Sequence, residues 1–164
     1  MTRRALPVLA AALLAGLLSA CTSFAPVYGD RSGSGVDSVR FNFFAPDSRL
    51  EQLILNRLKV AFPGQAAPSD PLLDIVTTTA SPTGSISDAI SVARPSNVRI
   101  QSTVTIRNGD QVLFEATRFA DTSYQTGKLT PVDMASSQGA QETAAKAVAE
   151  ALRAAILAGY RPTP

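Results

Sequence analysis

Apolar residues recur along the chain with two different periods, and the switches between them mark out the elements. From Val36 to Phe44 the period is two, with Val39, Phe41 and Phe43 on one side and Arg40 and Asn42 on the other. That pattern predicts a half-buried strand. Leu50, Leu53, Ile54, Leu58, Ala61 and Phe62 then fall at helical spacing, with Arg49, Gln52, Asn56 and Lys59 largely on the opposite face. Ser48 and Glu51 hold the capping-box spacing that opens such a helix, and Pro63-Gly64 ends it. Leu72 to Thr79 has strand composition. Asn97 to Arg107 carries the cleanest alternation: Val98, Ile100, Val104 and Ile106 face one way, and Arg99, Gln101, Ser102 or Thr103, Thr105 and Arg107 form the exposed face. Asn108-Gly109-Asp110 is a tight-turn signal, so Val112 to Phe119 should return antiparallel. Ala120 to Pro131 reads as a polar connection, and Asp133 as the N-cap of a long final helix. The stripe of that helix is Ala144, Ala145, Val148, Leu152, Ala155 and Ile156, opposite Glu142, Lys146, Glu150 and Arg153. Gly159 supplies its C-terminal cap and Pro162 prevents continuation.

The resulting order is β-α-β-β-β-α. Each helix has one apolar stripe and each strand one apolar face, so the simplest burial is an α+β two-layer sandwich: a four-stranded mixed sheet with two helices on one face. The crossover through the first helix makes strands one and two parallel if they are neighbours, and the later strands pair as hairpins. Residues 80 to 96 are rich in Ser, Pro, Gly and Asp yet contain Ile86, Ala89, Ile90, Val92 and Ala93, which fits an extended hairpin arm as well as an open loop.

The start of the chain follows neither period. Arg3 and Arg4 precede an uncharged Ala/Leu stretch from Ala5 to Leu17, the length of a signal-peptide core and too short to span a bilayer. It closes on Leu18-Ser19-Ala20-Cys21, small residues before the chain's single cysteine. This resembles the lipobox of bacterial lipoproteins, which implies cleavage before Cys21 and acylation of the new N-terminus. Such an anchor tethers a chain without spanning the membrane. The expected organisation is a signal peptide over 1–20, a lipidated N-terminus and flexible Gly/Ser tether over 21–35, and a single domain over 36–164.

Loss of the leader changes the charge. Of 15 basic residues Arg3 and Arg4 leave with it, so 13 basic face 13 acidic residues in the mature chain. The alkaline isoelectric point is therefore no sign of a nucleic-acid partner. Histidine is absent and the one cysteine is committed to lipid, which removes Ser/His/Asp, Cys/His and zinc-type sites together. Asp70 and Asp74 are the nearest approach to a carboxylate pair, with no base or metal partner beside them. The chain reads as non-enzymatic, with no catalytic residue, no metal and no cofactor beyond the lipid on Cys21.

The lipobox cysteine, the patch Phe24-Ala25-Pro26-Val27-Tyr28, the Leu-rich first helix, the paired late strands, the stretch Arg118-Phe119-Ala120-Asp121-Thr122-Ser123-Tyr124 and the Ala-rich final helix together resemble the LPS-assembly lipoprotein LptE family, most closely its alphaproteobacterial forms. Thr22 and Ser23 depart from the commoner Gly-Phe that follows the cysteine in that family. The resemblance implies an outer-membrane lipoprotein that partners and plugs the β-barrel LptD, on the periplasmic side or in the barrel lumen, and helps pass lipopolysaccharide outward. It implies contact with lipopolysaccharide through basic residues, for which Arg94, Arg99, Arg107 and Lys128 are the candidates, since phosphorylated headgroups need charge-assisted donors. Solvated surface charge is the competing reading for each. Phe24 and Tyr28 are the candidates for contact with the barrel wall or membrane interface, against burial on their own domain. The alternative role is that of an auxiliary lipoprotein in a different envelope lipid-transport system.

Overall fold

The computed structural model describes residues 39–80, 94–127 and 130–162. The leader, Cys21, Phe24, Tyr28, the tether, residues 81–93 of the possible arm, and Lys128 lie outside them. Chain order is β1 (Asn42–Phe43), α1 (Arg49–Ala61), β2 (Leu72–Ala80), β3 (Arg94–Asn108), β4 (Gln111–Thr126) and α2 (Thr130–Gly159). The strands form one sheet in the order β1-β2-β3-β4, parallel between β1 and β2 and antiparallel thereafter. This is the expected α+β mixed sheet, and its single parallel pair is the one joined by a helical crossover.

Both helices lie on one face of the sheet. Arg49 pairs with Glu142 and Arg57 with Glu150, the second at 3.0 Å, and the equal sequence offset means that α1 and α2 run side by side in the same direction. Beneath them the even-numbered residues Val98, Ile100, Val104 and Ile106 of β3 are fully buried, with Leu73, Ile54, Leu58, Val148 and Leu152. The Ala stripe of α2 lets its axis approach β4, and Gly159 sits so near the Phe114 ring that a Cβ there would lie 2.6 Å from Cε2. Phe41 meets Phe62 edge-on at 5.4 Å and Tyr160 at 5.3 Å, closing the end of the core where α2 finishes.

Several boundaries differ from the sequence reading. Only Asn42 and Phe43 of the first strand pair with β2, although Phe41 is buried and Val39 and Phe43 pack on the core, as the alternation requires. β3 starts at Arg94, ahead of Asn97. Pro95 is tolerated there because β2 ends opposite Arg99, so no ladder bond is lost on that side. β4 continues through the expected polar connection to Thr126, since Ala120, Thr122 and Tyr124 keep period two opposite Ile100, Val98 and Ser96. α2 begins at Thr130, and Asp133 is not its N-cap: from within the first turn its carboxylate accepts the Gly127 N–H at 2.8 Å. At the hairpin, Asn108 stays in the strand and Gly109 carries the positive φ of 56°.

Candidate partner-binding face

The sheet face turned away from the helices is formed by the odd-numbered residues of β3, the odd-numbered residues of β4 from Glu115 onward and the even-numbered residues of β2, as period two dictates; a register shift beside Arg107 puts Val112 on the same face. Ser102 shares parity with the core, is fully buried, and its hydroxyl meets that of Thr77 at 2.8 Å, so Thr103 is the residue on the outer face. There Thr103 and Thr117 join hydroxyls at 2.8 Å across the strands, and Ser123 donates to Asn97 Oδ1 at 2.6 Å. Hydroxyls and amides thus satisfy one another in cross-strand pairs.

Arg99 is tied down on this face. Its Nε and Nη2 donate to the two Asp121 oxygens at 2.7 and 2.9 Å, and the guanidinium lies 4.6 Å from the centre of the Phe119 ring. The side-chain hydrogen bond, with the carboxylate charge behind it, raises the Arg99 pKa, and the same bond holds the Asp121 carboxyl below the ordinary range. A fork already filled by a carboxylate is a weak competitor for phosphate.

The other basic candidates are dispersed. Arg107 shares the outer face with Arg99, but eight residues along one strand separates them by about 27 Å. Arg94 opens β3 opposite Thr126, at the far end of the ladder, and Lys128 lies outside the described residues. Arg99 and Arg107 therefore belong to no single anion pocket. Asn97, Thr117, Phe119, Asp121 and Ser123 are the outer-face residues that the sequence reading did not single out; the alternation of Phe119, Asp121 and Ser123 was the available signal. An open groove of about 450 Å³ lies between the end of β4 and the first turns of α2, lined by Tyr124, Asp133, Ser137, Gln138 and Gln141 among others, with no basic residue among the described residues of its lining. Among the described residues no cluster of acidic or cysteine side chains is fit to hold a metal ion, and no helix is long and apolar enough to cross a membrane.

No protein-family model matches the chain, and no curated protein matches it either. Solved structures share its architecture. A Caulobacter crescentus protein described as a lipoprotein aligns at 18% identity with a TM-score of 0.53, over 77% of this chain and 95% of its own. A minor lipoprotein from Acinetobacter baumannii aligns at 17% identity with a TM-score of 0.52, over 76% and 94%. Rare lipoprotein B from Shewanella oneidensis gives 14% identity and a TM-score of 0.47, over 73% and 96%. At these identities the likeness is one of fold.

Proposed function

We propose that this chain is a non-catalytic lipoprotein, acylated at Cys21 and held at the outer membrane, that partners and plugs an LptD-like β-barrel during lipopolysaccharide assembly. The observation that carries this reading is the outer face of the sheet, which no described element covers and where hydroxyls and amides pair with each other and Arg99 is neutralised by Asp121. The hydrogen-bonding groups and balanced charge of this face suit the polar lumen of a large barrel, and the exposed Val76, Val112 and Phe119 among them offer apolar contacts to its wall. The lipobox supports the anchor, and the lipoproteins of Caulobacter crescentus and Acinetobacter baumannii support the pairing of this fold with such an anchor.

The decisive experiment is affinity isolation of the tagged full chain from native membranes. Co-purification of a large outer-membrane barrel is the expected result, and recovery of a free lipoprotein overturns the reading. Recovery of inner-membrane transporter subunits in its place assigns the chain to a different lipid-transport system. Direct lipopolysaccharide binding is tested with the double variant Arg94→Ala, Lys128→Ala, which should bind more weakly while keeping its fold. Unchanged binding moves the search to Arg107, because Arg99 is engaged by Asp121.

A further inference from the structure

The two edges of the sheet are treated differently. β1 covers β2 only at Leu72 and Leu73, where the Phe44 N–H donates to the Leu73 carbonyl at 2.9 Å. Backbone groups alternate in direction along a strand, so Ile75 and Thr77 turn their N–H groups to the same side. Both are occupied: the Asp74 carboxylate accepts from Ile75 at 2.8 Å, and Glu51 Oε1 accepts from Thr77 at 2.9 Å. With the donors of Ile75 and Thr77 taken by carboxylates, this stretch of the edge resists a further strand.

The same alternation, carried across the registers, fixes the opposite edge. Asp74, Val76 and Thr78 exchange bonds with Thr105, Thr103 and Gln101, so Val98, Ile100, Ser102 and Val104 exchange theirs with Thr122, Ala120, Arg118 and Ala116. Glu115, Thr117, Phe119, Asp121, Ser123 and Gln125 are left with N–H and C=O groups directed out of the sheet, over about 34 Å. Among the described residues one of these groups is engaged: the Thr117 carbonyl accepts from Arg118 at 2.7 Å. Such donors and acceptors, left to water in the isolated chain, form at strand spacing a template on which another extended backbone can pair.

Charge narrows the choice of strand. Glu115 and Arg118 have no ion-pair partner among the described residues, and by parity they stand on opposite faces of β4. A second copy joined antiparallel about a two-fold axis sets outer-face residues against outer-face residues, and so never brings Glu115 to Arg118. Self-pairing leaves both charges uncompensated.

We propose that the free edge of β4 from Glu115 to Gln125 docks an extended strand of a different protein, one with a carboxylate opposite Arg118 and a basic side chain opposite Glu115. This rests on the barrel partnership proposed above and names the surface at which a segment of the barrel protein joins. On docking, Arg118 exchanges the Thr117 carbonyl for the incoming carboxylate, and the carbonyl accepts a partner N–H in its stead.

The test is amide hydrogen exchange on the full chain, alone and in the complex isolated from native membranes, with capture of the barrel by Thr117→Pro and Thr117→Val. Proline removes an N–H that points out of the sheet, leaves the β3–β4 ladder bonds intact and is tolerated at such a position; valine keeps the N–H and removes only the hydroxyl. The expected result is exchange at least about ten-fold slower for the outward amides of 115–125 in the complex, with barrel recovery at least about ten-fold lower for Thr117→Pro and near wild type for Thr117→Val. A recovered barrel with these amides exchanging as fast as in the isolated chain overturns the edge and leaves the barrel partnership standing. A wild-type chain that recovers no barrel overturns both. Protection in the isolated chain that disappears on dilution identifies a second copy as the occupant, which also overturns the proposal. Should Thr117→Pro fail to fold, the wild-type exchange comparison decides alone.

Discussion

Glu51 is a carboxylate only 7% exposed, held because each oxygen has backbone donors: Oε2 accepts from Asp47 and Ser48, and Oε1 from Thr77. Its capping role is visible from its spacing to Ser48, but the bond to Thr77 is not, since that N–H lies on a strand brought alongside only by the crossover. Glu51→Ala strands three donors near the helix start, so it should cost about 2–4 kcal/mol, readable in urea denaturation, with Glu51→Gln losing clearly less. Asp121 is the complementary case at the surface. Its carboxyl is depressed chiefly by the Arg99 hydrogen bonds, so its contribution is present above the ordinary carboxyl pKa of about 4 and disappears as pH falls through the lower folded value. Wild type should therefore exceed Asp121→Asn in melting temperature by a constant margin between about pH 5 and 8, and that margin should close on acidification below about pH 4.

Secondary structure was most legible where one period ran uninterrupted, as in β3 and α1, and least where composition hid it. The distal part of β4 is built largely from Thr, Ser, Asp and Gln, so its hydrophobic signal is faint; the strand exists because Thr122 and Tyr124 find partners on a β3 of nearly the same length. Asp133 resembles a cap because aspartate favours that position, whereas the helix already runs from Thr130 and Asp133 stands within its first turn. The final helix was read correctly in its stripe, and Leu152, fully buried, is the residue that tests it. Leu152→Asp should abolish cooperative unfolding at room temperature, as an unpaired carboxylate in an apolar layer costs several kcal/mol. A milder probe lies at the other end: Gly159→Ala pushes a methyl into the Phe114 ring and should lower stability by about 1–3 kcal/mol, which a thermal melt would register.

For the molecule as a whole, the two-layer architecture followed from counting apolar faces, because four one-sided strands and two one-sided helices have one economical way to bury them. The candidate site was less accessible to that logic. Whether Arg99 is free or engaged depends on Asp121 arriving opposite it, which requires the hairpin register, and the contrast between the two sheet edges requires the direction of every ladder bond. The proposed anchor, by contrast, rests on sequence alone: Cys21→Ser should block lipoprotein processing and acylation, detectable as an uncleaved leader and loss of metabolic labelling with palmitate. The turn at Gly109 has a kinetic consequence. It joins the two longest strands with almost no intervening chain, so closing them costs little loop entropy and can proceed outward like a zip. β2 and β1, reached across longer connections, are expected to add to that hairpin, which makes the single glycine the expected point from which the chain begins to acquire its shape.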